Sequence, residues 1–188
     1  MTILPAAGYR RMLWKNGGGT TLEIAASSED GPPIWRLSIA QIERDGPFSE
    51  FAGYDRTILP TRGNGVILSL DDAQDITLDR LGVPFSFRGE SKTMSRLIDG
   101  PVTDLNMMTR REVCSHGVDT HSLTPAGISV NAADICFVYA LAGDLALERE
   151  GVPITLAAGD TVRVDGTFFH LRAAKSDALA CVVKIRRL

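Results

Sequence analysis

The sequence predicts an all-β protein, a sandwich or barrel built in two lobes, on three observations. Gly and Pro punctuate the 188 residues at short intervals and leave little room for long helices. Between them lie short runs of strand-forming residues, spaced at about 8–12 residues. The order strand, glycine turn, strand, variable turn, strand also occurs twice: Arg56-Thr57-Ile58-Leu59 leads on to Ile76-Thr77-Leu78, and Phe137-Val138-Tyr139-Ala140 leads on to Ile154-Thr155-Leu156. The competing explanation is that meandering β chains resemble one another.

Taken in order, Trp14-Lys15-Asn16-Gly17-Gly18-Gly19 precedes a strand expected over residues 20–26. Three glycines allow a sharp turn or bulge, or the close approach of a ligand, and both readings stay open. The loop is not a phosphate cradle of the P-loop kind, because Lys15 precedes the glycines, and Leu22 breaks the dinucleotide pattern. Residues 34–42 alternate strictly, Trp35, Leu37 and Ile39 on one face, Arg36, Ser38 and Ala40 on the other. Strands are expected over residues 56–59 and 66–70 around Gly63-Asn64-Gly65, a hairpin signal, and then over 76–81, 84–87 and 104–111. Residues 91–97 could hold one or two helical turns. Residues 114–126, rich in Ser, Thr, Gly and His, read as a crossover between lobes.

Composition narrows the function. The chain is 44% hydrophobic and 23% charged with a net charge of −3, ordinary globular values. No long basic block is present, which argues against nucleic acid or an anionic membrane as partner. Cys114, Cys136 and Cys181 lie far apart without a CxxC, so neither a disulfide framework nor a thiolate metal site is expected. The first residues lack the apolar core of a secretory signal, and no apolar run approaches the roughly 20 residues of a membrane helix. A cytoplasmic protein is the expectation.

Candidate chemistry is sparse. The only histidines are His116, His121 and His170. A divalent metal wants several converging imidazole or carboxylate ligands, so no metal and no cofactor are expected. There is no G-x-S-x-G, and Cys114 near His116 lacks a third, orienting group. The polar strand faces carry more. Arg36, Ser38 and Ala40 share one face, and Asp104, Asn106, Met108 and Arg110 share another by the same period of two. In a small barrel such a face lines the lumen, whereas in an open sheet it meets solvent.

Several blocks resemble the HutD/Ves family: Trp14 through Ile24, Trp35 through Ala40, Gly46-Pro47-Phe48-Ser49-Glu50-Phe51, Asp55-Arg56, residues 87–90 and residues 100–111. Beyond residue 111 the similarity is to cupins in general, with the spacing from Gly159 to His170 fitting a cupin motif. Ala52 stands where the family pattern has proline, and Leu22 where it has arginine. The resemblance implies a metal-poor bicupin, two stacked cupin-type β-barrel or jelly-roll lobes. These would be an N-terminal lobe over residues 1–113 holding the ligand pocket and a C-terminal lobe over residues 114–188, allowing for strands exchanged between them.

It also implies a role in histidine utilisation, sensing or regulating around a formylglutamate-like carboxylate in histidine catabolism. In that pocket Arg36 and Arg56 would grip the carboxylate, since a guanidinium fork matches it in two places. Asn16, Ser38 and Asn106 would supply neutral hydrogen bonds, Lys15 would be positioned by the glycine loop, and Trp35 or Phe87 would give apolar walls. Asp104 and Glu90 would pair with the arginines. In the alternative, a metal-independent isomerase or hydrolase, one of them would shuttle the proton. A homodimer follows only by analogy with cupins that pair through strand edges.

Overall fold

The computed structural model describes residues 1–14, 17–28, 31–71, 75–166 and 168–188. The chain divides into two compact units, one of residues 9–115 with Leu188, the other of residues 1–8 with 116–187. In the first unit the strands are β2 (Arg10–Leu13), β3 (Gly19–Ala26), β4 (Trp35–Ile42), β5 (Gly46–Pro47), β6 (Tyr54–Arg62), β7 (Val66–Leu70), β8 (Ile76–Leu78), β9 (Phe85–Arg88), β10 (Thr93–Leu97) and β11 (Val102–Arg110). They form a six-stranded sheet, β2-β3-β4-β11-β6-β9, and a four-stranded sheet, β5-β10-β7-β8.

The second unit holds β1 (Thr2–Leu4), β12 (Cys114–Leu123), β13 (Ile128–Asn131), β14 (Ile135–Ala142), β15 (Leu145–Arg149), β16 (Val152–Leu156), β17 (Thr161–Arg163), β18 (Phe168–Ala173) and β19 (Ala178–Arg187). Its sheets run β1-β17-β14-β19-β12 and β13-β18-β15-β16. Thr2–Leu4, at the start of the chain, thus pairs with Thr161–Arg163 of this later unit.

The repeat seen in the sequence is topological. Advancing every strand number by eight turns β4-β11-β6-β9 into β12-β19-β14-β17, and β5-β10-β7-β8 into β13-β18-β15-β16. Each unit is an eight-stranded, two-sheet jelly roll, with β2 and β3 added at one edge in the first and β1 in the second. Even the register recurs: Leu78 lies opposite Val66 in the first unit, and Leu156 opposite Leu145 in the second.

Three expectations are corrected. Residues 91–97 hold strand β10 (Thr93–Leu97) and no helical turn, because Thr93 and Ser95 alternate inward and the strand pairs with β7. The crossover region 114–126 is largely the ten-residue strand β12, whose burial alternates with exposure along its length. Gly63-Asn64-Gly65 does not close a hairpin, since β6 and β7 belong to different sheets. The turn carries the chain from one sheet to the other. A Cβ on Gly63 would meet the Pro101 carbonyl at 2.6 Å, and both glycines have positive φ (96° and 103°).

The Trp14–Gly19 loop closes the β2–β3 hairpin. Trp14 N–H donates to the Gly19 carbonyl at 3.0 Å, and Gly17 N–H to that of Trp14 at 3.1 Å. What approaches Gly19 is protein: a Cβ there would lie 2.1 Å from the Gln41 carbonyl of β4. In the first unit Ile42, Ile58, Val66, Leu68, Leu78, Phe87 and Val102 pack into one apolar cluster between its two sheets.

Candidate functional site

Strand register builds the site. β11 lies between β4 and β6, and its inward positions run Val102, Asp104, Asn106, Met108. Val102 belongs to the apolar cluster, and the polar residues that follow it open a cavity of about 530 Å³. Asn106 stands between Ser38 of β4 and Ile58 of β6. Met108 stands between Arg36 and Arg56, so both guanidinium stems leave neighbouring strands at one level. Asp104 sits opposite Ala40, at a register shift in the β11–β6 ladder.

The cavity wall includes Arg36, Ser38, Arg56, Asp104 and Asn106, together with Met12, Trp14, Thr21, Phe48, Ser49 and Phe51. Aromatic rings surround the arginines. Arg56 lies 4.8 Å from the Phe87 ring centroid, 5.3 Å from Phe51 and 5.5 Å from Phe48, and Arg36 lies 5.5 Å from Phe51. Each such contact stabilises a desolvated cation by about 1–2 kcal/mol. Hydrogen bonding to the guanidinium groups is thin: Arg56 Nη1 donates to the Ser49 carbonyl at 3.3 Å, and Arg36 Nη2 to the Met108 sulfur at 3.3 Å.

Five polar atoms here are buried without a hydrogen-bond partner: Nε of Arg36, Nε of Arg56, both carboxylate oxygens of Asp104, and Oδ1 of Asn106. Arg56 is 5% exposed and Asp104 is 2% exposed. Burial pushes the Asp104 carboxyl up from an ordinary 3.8 to about 7, with Arg56 opposing the shift. Burial also lowers Arg56 to about 10, which Asp104 opposes and Arg36 reinforces. Arg36 is lowered by burial too, with Glu23 holding it up. Leaving a buried polar atom unpaired costs about 1–3 kcal/mol, more when it is charged. All five belong to residues that line one cavity.

Arg36, Ser38, Arg56, Asp104 and Asn106 are thus brought together. Glu90 is not. It sits outside the cavity wall, 39% exposed, with its carboxylate 3.0 Å from Arg111, which also binds Asp55 at 2.7 Å. Trp35 is not a wall either, since the period of two turns it away from Arg36. Phe87 does face the site, against Arg56. Lys15 and Asn16 lie outside the described residues.

The Phe48–Phe51 segment and Thr21 were missed as site residues. Phe48 to Phe51 follow strand β5 in irregular chain, and only the presence of that block in the family resemblance signalled it. Trp14 Nε1 donates to the Thr21 hydroxyl at 2.8 Å, which fixes both at the wall. Many cupins hold a metal, and the donor set does not fit one. Among the described residues the cavity wall carries two guanidinium groups and one carboxyl, and no three His, Cys, Asp or Glu side chains cluster to hold a metal ion.

Comparison with known proteins agrees with this architecture. A protein of Pseudomonas putida described as an uncharacterized 21.2 kDa protein in the hutC 3' region is 43% identical over 110 residues, 57% of each chain. The chain spans just over half the length of the curated relatives it matches, among them protein Ves of Citrobacter koseri at 54%. A conserved protein from Pseudomonas aeruginosa PAO1 superposes with a TM-score of 0.92 at 33% identity over 98% of both chains. HutD from Pseudomonas fluorescens SBW25, solved in a formate condition, superposes at 0.86 with 31% identity, over 100% of this chain and 98% of that one. A cupin barrel protein of Leptotrichia buccalis, 11% identical with a TM-score of 0.63 over 93% and 92% of the chains, shares the fold. The HutD family model matches residues 6–181, and the chain belongs to the HutD family.

Proposed function

We propose that the chain is a small-molecule-binding protein that regulates or senses histidine utilisation in the cytoplasm. Its ligand is a formylglutamate-like carboxylate held in the cavity of the first unit. One observation carries the reading. Arg56 presents a buried guanidinium and Arg36 a half-buried one to a single cavity, each with an unpaired Nε, and among the described residues neither forms an ion pair with a carboxylate. A buried guanidinium without a partner costs several kcal/mol, and an incoming carboxylate supplies the missing charge-assisted hydrogen bonds. Ser38 and Asn106 offer neutral groups for the rest of the ligand.

Calorimetric titration of formylglutamate and glutamate tests the reading. Lysine at position 56 keeps the charge and loses the fork, so Arg56→Lys should bind about tenfold to a hundredfold more weakly. Equal affinities in both proteins would sink the carboxylate anchor.

A second reading, a metal-independent isomerase or hydrolase, draws on Asp104, a carboxyl titrating near neutrality on a cavity wall. Chemical change of formylglutamate on incubation with the protein would favour it. Recovery of the acid unaltered would favour binding alone.

A further inference from the structure

Among the described residues the cavity wall carries two cationic side chains and one carboxyl, and that imbalance bears on how an anion enters. From β2 and β3, Arg10 and Glu23 pair with each other at 2.7 Å and act on Arg36 with opposite signs, Glu23 the more strongly. From β4 comes Arg36, from β6 comes Arg56, and β11 itself adds only Asp104. The Phe48–Phe51 segment places no charged side chain on the described wall. Asp104 is not bonded to Arg56, although the two lie on adjacent strands: both its oxygens and the Arg56 Nε are without a partner. Asp104 thus lines the cavity from the strand between those that carry the two arginines, with its carboxyl buried and unpaired.

An ionised Asp104 there would repel the ligand at short range in a medium with little water to screen it. A neutral carboxylic acid would instead donate its O–H to a ligand oxygen and leave both arginines to the anion. The geometry points to Asp104 as the residue that sets ligand specificity, by binding as the neutral acid, so that above neutral pH each anion is taken up together with one proton drawn from solvent onto Asp104. This rests on the carboxylate reading above and adds the proton stoichiometry. An acid with a hydrogen-bond acceptor near its carboxylate would be chosen over one presenting a donor there.

The same direction follows from the Asp104 carboxyl, which burial pushes up to about 7. An anion brought close to it raises it further. Above neutral pH, where the free carboxyl is largely ionised, binding must restore the proton.

The experiment is titration of formylglutamate into the whole chain in buffers of different ionisation heat, at several pH values from 6.5 to about 8.5. At pH 8 the wild type should take up close to one proton per ligand, and affinity should fall up to about tenfold per pH unit above 7. In Asp104→Asn, whose amide mimics the neutral acid, uptake should vanish and the pH dependence should flatten. Binding by the wild type at pH 8 with no proton uptake would overturn the inference and leave the carboxylate reading standing. Uptake unchanged in Asp104→Asn would assign the proton elsewhere and overturn it too. Absence of binding at every pH would remove both. If Asp104→Asn does not fold, the wild-type proton count decides.

Discussion

The two units share eight strands in one order, yet the cavity described above lies in the first, whereas the second builds a continuous apolar core. In the second unit Phe169, Leu171 and Ala173 of β18 point inward with Ala178, Ala180 and Val182 of β19, in an apolar core that is close to fully buried. The equivalent strands of the first unit are β10 and β11. β10 turns Thr93 and Ser95 inward, and β11 turns Asp104, Asn106 and Met108 inward. The backbone plan is therefore neutral about function. Side-chain volume and polarity at a few inward positions decide whether a jelly roll becomes a core or a vessel.

The comparison breaks first at Phe169. Its side chain is fully buried, and its neighbours are held by two sheets. Phe169→Ala should lower unfolding free energy by about 3–5 kcal/mol, read by chemical denaturation. On the equivalent strand β10, Ser95 is a small inward residue, opposite Leu68 as Leu171 is opposite Leu147, and it donates to the Gly46 carbonyl at 2.8 Å. Ser95→Ala should cost only about 1 kcal/mol. Similar losses at both sites would mean that the two interiors are packed alike.

A smaller effect separates the units by pH. The Asp104 carboxyl titrates near 7 in the folded chain and near 3.8 when exposed, so between these values the folded state holds a proton that the unfolded state has lost. Stability from this group is fully present below about 4, falls as pH rises, and is gone above about 7. The span is on the order of 2–4 kcal/mol. Asp104→Asn should remove this slope from the ligand-free protein. A wild-type stability that stays level from pH 4 to 7.5 once the surface carboxylates are accounted for would contradict a buried, unpaired Asp104. No corresponding slope is expected from the second unit's core, whose inward groups are apolar.

Much of this contrast can be read from the sequence, because it depends on a local period. Alternation alone puts Arg36 with Ser38, and Asp104 with Asn106, without any knowledge of which strands pair. Cross-strand register is not local, so the convergence of Arg36 and Arg56 on Met108 could be guessed only through the family resemblance. Where polar residues interrupt the alternation the signal fails: Thr93 and Ser95 hid strand β10, and the Ser and His residues of 115–122 hid β12. Glu90 was misplaced because a glutamate near conserved-looking blocks carries no sign of direction. Its neighbour Arg111 turns out to bind it together with Asp55. The aromatic lining from Phe48 and Phe51 sits in irregular chain, where no periodicity exists to be read.

The smallest expected effect is at His170, the residue in the filled unit that most invites a functional reading. It lies between the inward-facing Phe169 and Leu171, so the strand period turns its ring away from the core. Its Nε2 donates to the Ala126 carbonyl at 3.2 Å, a single contact that ties β18 to the turn before β13. Losing one partly solvated hydrogen bond costs about 0.5–1.5 kcal/mol, and nothing in that contact reaches the residues around Arg56. His170→Ala should therefore melt slightly earlier and bind formylglutamate as the wild type does. If a folded His170→Ala protein lost binding altogether, the cavity of the first unit could not be the site. The contrast between a vessel and a filled core would then have to be abandoned.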